Sequence, residues 1–304
     1  MHPIVEASLS SVHDLAPFEV SSEVELWELG SQGLAAPVGD SRSSQRAWDA
    51  PRAERIQESL LEDADQFSRA RLLASAKPES GSWVSAIPVP SLGTQLSPEE
   101  LRIAIALRTG SKVSGRHLCK CGFYTDEFGF HLLSCRFSEG RHPRHAAMND
   151  IIWRALKATG LIAIQEPIGI NRGDGKRPDG ITVGPFSQGK LLVWDATCSN
   201  TFAESSVNES AVEAGRSALK AEISKRAKYP DMVRNYMFEP IAIETSGVYG
   251  PSTKIIIQEI GKRISQKSGD KRETMWLKQR LSIAIQRGNA LSILSLANLM
   301  TGHV

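Results

Sequence analysis

The sequence has no apolar run long enough to cross a membrane. Its longest apolar runs are interrupted within about ten residues, well short of the ~20 that a membrane-spanning helix needs. A basic segment followed by an apolar stretch is also missing from the N-terminus, so no signal peptide is predicted. We therefore expect no membrane partner and an intracellular location.

Cysteine is scarce, and its distribution is uneven. Only four cysteines occur in 304 residues, and three of them lie within residues 119–135. This is too few and too clustered for the disulfide framework of a secreted protein. A reducing compartment and a metal site fit the pattern better.

The overall charge is small because two unlike parts cancel. The formal net charge is +2, yet residues 1–95 carry 7 Lys and Arg against 14 Asp and Glu, a net charge of −7. Residues 96–304 carry 29 against 20, a net charge of +9. An acidic N-terminal part followed by a basic remainder indicates that the basic part, residues 96–304, binds nucleic acid. The chain length predicts about two domains.

The cysteine-rich segment also contains a histidine at a useful spacing. The four residues concerned are Cys119, Cys121, His131 and Cys135. On a helix, positions 131 and 135 would share one face. Gly122 allows a turn that would bring Cys119 and Cys121 closer together. Three Cys and one His form a common ligand set for structural Zn²⁺. Reduced thiols beside a loop histidine are the simpler alternative.

The N-terminal third of the chain changes character twice. Residues 1–50 are rich in Ser, Glu, Ala and Gly, and are predicted to be a largely disordered acidic tail. Residues 51–95 predict one amphipathic helix over 51–75 and then a connector rich in Pro, Gly and Ser. Residues 96–140 predict a helix that begins with a capping box at Ser97, followed by the metal-like cluster.

The rest of the chain predicts a mixed core over residues 141–266 and C-terminal helices over 267–304 that pack on it. Strands are predicted at 162–165, 180–183, 190–196 and 237–244, and helices at 143–159, 207–229, 252–266 and 271–298. This order predicts an α/β or α+β fold with one mixed central sheet flanked by helices.

Three acidic residues stand at or near strand ends. Glu166 closes the first strand, Asp179 precedes the second, and Asp195 lies inside the apolar run of the third. A buried carboxylate without a partner is costly. Neighbouring strands lie ~4.8 Å apart, so two of these carboxylates could hold one Mg²⁺. On spacing alone, a turn-capping Asp179 and a salt-bridged Asp195 are the favoured explanation.

Taken in order, these motifs resemble a known family. Residues from about 101 to 289 are similar to the restriction-endonuclease-like domain at the C-terminal end of site-specific non-LTR retrotransposon reverse transcriptases. That domain belongs to the PD-(D/E)XK nuclease superfamily. The residues that carry the resemblance are Cys119, Cys121, His131 and Cys135, then Arg144-His145 and Asn149, then Pro178-Asp179 and Asp195.

The resemblance implies a catalytic site. Asp179 and Asp195 would bind Mg²⁺, with Glu166 as a further ligand or support, while the cysteine cluster would be a structural zinc knuckle. The superfamily has a lysine two residues after the second acid, where this chain has Thr197. In the retrotransposon family the following helix supplies that lysine. The matching residues here are Lys225, Lys228 and Tyr229, which would share one helical face. A solvated basic face is the alternative.

The implied reaction is metal-assisted hydrolysis of a DNA phosphodiester, leaving a 3′-hydroxyl that could prime reverse transcription. No Tyr-x-Asp-Asp polymerase motif occurs, so the chain would be a fragment of a larger protein, an incomplete gene model or a free-standing derivative. The implied partners are DNA and retroelement RNA, with a nuclear location during the reaction. Two rival hypotheses are a DNA-binding module that has lost cleavage and a zinc-stabilised interaction protein.

Basic and polar residues flank the cysteine cluster and the Pro-Asp turn, where a DNA backbone would dock. A scattered basic surface is the alternative explanation. The residues predicted to contact DNA are Lys120, Arg141, Arg144, His145, Asn149, Lys176 and Arg177.

Overall fold

The computed structural model describes residues 23–31, 33–39, 44–170 and 177–297. The chain forms two compact units, Met1–Ala64 and Asp65–Val304. The sequence predicted boundaries after residues 50, 95, 140 and 266, and the boundary between these two units follows Ala64.

The described part of the first unit is helical. Helix α1 spans Glu23–Gly30 and helix α2 spans Gln45–Glu62. Trp27 meets Trp48 edge to face, with 5.3 Å between ring centroids, and Trp48 is buried. Part of the segment predicted to be a disordered tail is therefore helical. Residues 1–22 lie outside the described residues.

The second unit begins with helices. Its N-terminal elements are helix α3 (Gln66–Ser75), two short 3₁₀ turns (Pro78–Gly81 and Pro90–Leu92) and helix α4 (Pro98–Thr109). The single helix predicted over 51–75 is wrong, because Asp65 starts a new helix by accepting hydrogen bonds from the backbone N–H groups of Phe67 and Ser68. Both bonds of the predicted capping box at Ser97 are present.

The remaining elements build the sheet and its cover. In chain order they are α5 (Arg141–Ala158), β1 (Ala163–Gln165), β2 (Gly180–Ser187), β3 (Lys190–Ser199), α6 (Val207–Ser210), α7 (Arg216–Lys228), α8 (Pro230–Asn235), β4 (Met237–Glu244), α9 (Pro251–Ser268) and α10 (Glu273–Leu294). One helix was predicted over 207–229, but two form. The chain turns between them and enters α7 through Gly215, whose φ of +96° favours glycine.

The sheet is mixed, as the sequence predicted. Its four strands follow the order β1-β2-β3-β4. The first three pair antiparallel, whereas β3 and β4 are parallel and are connected through α6, α7 and α8. This crossover brings α7 close to the central strand β3.

The main core lies between the sheet and helices α5, α9 and α10. Trp194 of β3 is fully buried against it and donates a hydrogen bond from Nε1 to Asn149 Oδ1 of α5 (2.9 Å). On the other side, the indole meets the backbone of Gly180, where an added Cβ would lie 2.0 Å from the ring. Glycine at this position therefore allows β2 to pack against β3. Among the described residues, no helix is long and apolar enough to cross a lipid bilayer.

Candidate functional site

Two turns fold the cysteine cluster, which we call the knuckle (residues 119–135). A short hairpin pairs Leu118 with Tyr124, and the Cys119 N–H donates to the Phe123 carbonyl oxygen (2.9 Å). Gly122 closes the turn at a φ of +94°, which brings Cys121 beside Cys119. The turn predicted at this glycine is confirmed.

The second turn carries the other two ligands. Cys135 N–H donates to the His131 carbonyl oxygen (3.1 Å), so the two residues lie one turn apart without belonging to a regular helix. The Asp126 carboxylate accepts hydrogen bonds from the backbone N–H groups of Phe128, Phe130 and His131, at 2.9, 2.9 and 2.8 Å. This carboxylate fixes the loop that presents the histidine.

The four ligand atoms converge. They all lie within 4.8 Å of one another, with 3.6 Å between the sulfurs of Cys119 and Cys135 and 3.2 Å from Cys121 Sγ to His131 Nε2. Bonds of ~2.0–2.3 Å to a tetrahedral Zn²⁺ would place ligand atoms about 3.3–3.8 Å apart, so the set fits this ion. Burial raises the pKa of Cys135 to about 11, so an ion that binds here must displace a proton.

Aromatic rings attach the knuckle to the body of the second unit. Phe130 stacks on Phe202, with 4.2 Å between ring centroids, and on Phe67 of α3 at 5.3 Å. A cavity of about 850 Å³ opens beside this stack, with His131 in its wall. The knuckle is thus anchored to the rest of the second unit by aromatic packing.

The second cluster is the acidic pair, Asp179 and Asp195. Gly180 of β2 faces Trp194 of β3, so these two acids stand one step beyond that pair on adjacent strands. Asp179 Oδ2 accepts hydrogen bonds from the Ala196 N–H (2.6 Å) and from His145 Nε2 (3.1 Å). The strand register therefore brings together the two acids that the resemblance singled out.

The two carboxyls titrate in opposite directions. Burial raises the pKa of Asp195 to about 6, with Asp179 adding to the rise and Lys225 opposing it. Burial also acts to raise the pKa of Asp179, but hydrogen bonds from His145 and the Ala196 N–H outweigh it and the pKa is lowered. The two groups are close enough to share a proton. Two carboxyls shifted in opposite directions mark a candidate functional site.

Helix α7 supplies the third charged group. Lys225 Nζ lies 2.8 Å from Asp195 Oδ2, and this lysine is mostly shielded from solvent. Helix α7 is fixed because buried Glu222 accepts hydrogen bonds from Ser252 and Thr253 at the start of α9, and because Arg226 pairs with Glu239. Lys225 therefore approaches the acidic pair from a rigid element.

The other two residues predicted on this helical face do not reach the acids. Lys228 is exposed at the last position of α7. Tyr229 lies beyond the helix end with a φ of −125°, so helical spacing no longer applies to it. Its ring is buried against Phe238, and its hydroxyl donates to the Arg177 carbonyl oxygen (3.3 Å). The structure thus assigns Tyr229 to packing.

Glu166 lies next to the site but points away from it. Its backbone N–H donates to the Asp179 carbonyl oxygen (2.9 Å), and its φ of +46° is unusual for a residue with a side chain. The exposed carboxylate forms an ion pair with Arg177. Glu166 therefore supports the backbone of Asp179 itself, and its carboxylate is directed to Arg177 instead of the acidic pair.

The residues predicted to contact DNA differ in their exposure to solvent. Arg144 is only 4 % exposed, and its guanidinium donates to Asn289 Oδ1 (2.7 Å) and to the Leu133 carbonyl oxygen (3.1 Å). Asn149 is also buried and binds Trp194. These two hold α5 against its neighbours and offer no surface to DNA. The exposed residues of the set are Lys120, Arg141 and Arg177, while Lys176 lies outside the described residues.

The contact of His145 with Asp179 was not predicted from the sequence. It was predicted to contact DNA, but its Nε2 atom is in hydrogen-bond contact with Asp179, and that contact raises its pKa. The available signal was its position on α5, one residue after Arg144 and four before Asn149, which points its side chain toward the sheet.

No protein-family model matches the chain, and a search of curated proteins gave no match either. The site is therefore interpreted from its own geometry.

Proposed function

We propose that this chain is a divalent-metal-dependent DNA endonuclease domain with a structural zinc knuckle. The observation that carries the proposal is the meeting of Asp179, which immediately precedes β2, with Asp195 inside β3 and Lys225 of α7. Two carboxylates beside a shielded lysine suit a reaction in which negative charge builds up on a phosphate.

The donor sets suit different ions. Carboxylate oxygens are the ligands that Mg²⁺ prefers, so Asp179 and Asp195 would hold this ion. Thiolates and imidazole suit Zn²⁺, which the knuckle would bind for structural purposes. When bound, Mg²⁺ would neutralise the scissile phosphate and lower the pKa of an attacking water.

The chain's own residues would do the rest. Lys225 holds Asp195 in place and brings a positive charge to the reacting phosphate. Exposed Lys120, Arg141 and Arg177 would attract the DNA backbone around the acids, in line with the net charge of +9 over residues 96–304. The order of motifs supports a retroelement origin, in which a nick made in nuclear DNA exposes the 3′-hydroxyl that primes reverse transcription.

The proposal is tested by incubating the zinc-loaded chain with supercoiled plasmid and Mg²⁺. We expect conversion to open circles, and a loss of at least ~100-fold in rate in Asp179→Asn and in Asp195→Asn, because each variant removes an ion ligand. Asp150→Asn is the matched control, since Asp150 is an exposed acid on α5 that pairs only with Arg154 among the described residues. Full activity in both site variants would contradict the proposal.

A DNA-binding protein without cleavage activity is the second candidate. It is favoured by Thr197, which stands where the superfamily has its lysine, and by the pairing of Glu166 with Arg177. Salt-dependent plasmid binding without nicking would support this candidate. Absence of any DNA affinity at low salt would contradict both and favour a zinc-stabilised interaction protein.

A further inference from the structure

We propose that His145 is a positioning residue for the divalent-ion site, holding the Asp179 carboxylate so that its free oxygen faces Asp195. This inference rests on the proposed function, because it assigns a role within the same site. It concerns a residue on α5, an element that contributes no ion ligand in the proposal above.

The first argument is the occupancy of the two oxygens of Asp179. Oδ2 accepts both described hydrogen bonds, from the Ala196 N–H at 2.6 Å and from His145 Nε2 at 3.1 Å. Within the described residues, Oδ1 accepts no hydrogen bond from a histidine, a lysine or a backbone donor. Two donors on one oxygen fix the rotation of the carboxylate, which leaves the other oxygen for an ion.

Asp195 shows the same division. Its Oδ2 atom accepts from Lys225 Nζ at 2.8 Å, and its Oδ1 atom accepts no hydrogen bond from a lysine, histidine or backbone donor in the described part of the chain. Each acid of the pair is thus held through Oδ2 by a basic side chain from a helix. His145 on α5 plays for Asp179 the part that Lys225 on α7 plays for Asp195.

The direction of the hydrogen bond follows from the other contact of the same oxygen. Asp179 Oδ2 already accepts from the Ala196 N–H, and a carboxylate oxygen of this kind can only accept. His145 must therefore donate from Nε2. A donor at this atom is available in one neutral tautomer as well as in the protonated ring, so the contact persists across the neutral range.

Helix α5 is anchored on both sides of His145, which makes the donor rigid. Immediately before it, Arg144 is buried and bonded to Asn289 Oδ1 and the Leu133 carbonyl oxygen. One turn later, Asn149 accepts from Trp194 Nε1. Because the same helix is fixed to the knuckle loop and to β3, it cannot rotate His145 away from Asp179 without breaking buried hydrogen bonds.

The test measures ion binding directly, without relying on cleavage. Mn²⁺ is titrated into the full chain with its knuckle loaded with zinc, and free Mn²⁺ is followed by electron paramagnetic resonance. We expect one Mn²⁺ site that is lost in Asp179→Asn. We expect affinity to fall ~10-fold or more in His145→Ala, as is typical when a hydrogen-bond partner of a metal ligand is removed.

Three further variants separate positioning from packing. His145→Gln keeps an N–H donor and should restore affinity to within ~3-fold of the wild type, whereas His145→Phe keeps a ring without a donor and should stay weak. His142→Ala, an exposed histidine on the same helix, is the control and should bind Mn²⁺ like the wild type. Thermal unfolding of each variant shows whether it is folded, and the Gln–Phe comparison remains decisive if the Ala variant does not fold.

The outcomes for this inference and for the proposed function are distinct. If Asp179→Asn loses the ion but His145→Ala, or both His145→Gln and His145→Phe, bind it with wild-type affinity, the positioning role is refuted and the proposed ion site stands. If the wild type and Asp179→Asn bind Mn²⁺ equally, or neither binds it, the acidic pair is not an ion site and both ideas fall together.

Discussion

The knuckle and the acidic pair assemble their functional groups in opposite ways. All four knuckle ligands come from residues 119–135 and meet through two tight turns. The acidic site draws on His145 of α5, Asp179 and Asp195 of adjacent strands, and Lys225 of α7. The first is a local arrangement of soft donors, and the second is a product of the whole tertiary fold.

This difference indicates what each region needs in order to keep its shape. A loop as short as the knuckle cannot build a core alone, so a bound ion would contribute much of its folding free energy. The acidic pair is held by buried hydrogen bonds and by helices anchored in the core, so its geometry should persist without an ion. Three experiments test this difference between the two regions.

The largest effect is expected from removing a knuckle ligand. Cys135→Ser should abolish stoichiometric zinc binding and lower the free energy of unfolding by at least ~3 kcal/mol, a modest share of the ~10–16 kcal/mol that structural zinc contributes in small peptides. Zinc content and urea unfolding measure this. Cys198→Ser removes the one cysteine outside the knuckle and should keep the zinc. A wild-type chain that folds without zinc would remove the contrast between the regions.

The next effect concerns the acidic site. Lys225→Ala should reduce plasmid nicking ~100-fold, because the charge beside Asp195 is lost where negative charge develops. Zinc content should not change, since α7 does not contact the knuckle ligands through any described hydrogen bond. Lys220→Ala on the same helix is the control, because Lys220 is exposed and pairs with Glu209. Equal nicking rates in the two variants would show that Lys225 does not supply the positive charge that the reaction needs.

The smallest effect is a pH dependence of stability at Glu244, which is fully buried at the end of β4. Burial raises the pKa of this carboxyl above its ordinary value of 4.5, although its hydrogen bonds from Ala218 N–H, Thr201 and Ser246 oppose the rise. The folded chain then holds a proton that the unfolded chain releases. Stability from this group is present below pH 4.5 and is lost as pH rises through the raised pKa.

Glu244→Gln should remove that slope. The free energy of unfolding of the wild type, relative to the variant, should decline as pH increases from about 4.5 and then level off. Urea unfolding at a series of pH values measures the difference. Parallel curves would show that the Glu244 carboxyl does not contribute to the pH dependence of stability.

The same contrast explains what could be predicted from the sequence. The knuckle residues could be named because their spacing is local. Asp179 and Asp195 were singled out by the order of motifs in the resemblance, and the pairing of β2 with β3 brings them together. Helix ends were less predictable. The break at Asp65 depends on a side-chain cap and the break before Gly215 on a left-handed backbone, and neither interrupts the apolar periodicity that predicted single helices.

Burial of polar residues was the main property that local patterns did not predict. An arginine flanking a basic segment is normally solvated, so Arg144 was expected on the surface. Its partners, Asn289 and the Leu133 carbonyl, are distant in sequence or hidden in a loop, and only the packed fold brings them together. His145 was misplaced for the same reason, because its contact with Asp179 crosses from a helix to a strand.

The glycine at position 180 has a consequence for folding fidelity. A hairpin of β2 and β3 could in principle slide by one or two residues, which would pair the strands while separating the two acids. An added Cβ at position 180 would lie 2.0 Å from the Trp194 ring. A slip of one residue would bring Ile181 or Asp179 opposite Trp194, and a slip of two would bring Thr182 or Pro178, and all four residues carry side chains. The contact between Gly180 and Trp194 therefore disfavours misaligned pairings of β2 with β3, and it favours the register that brings the two acids together.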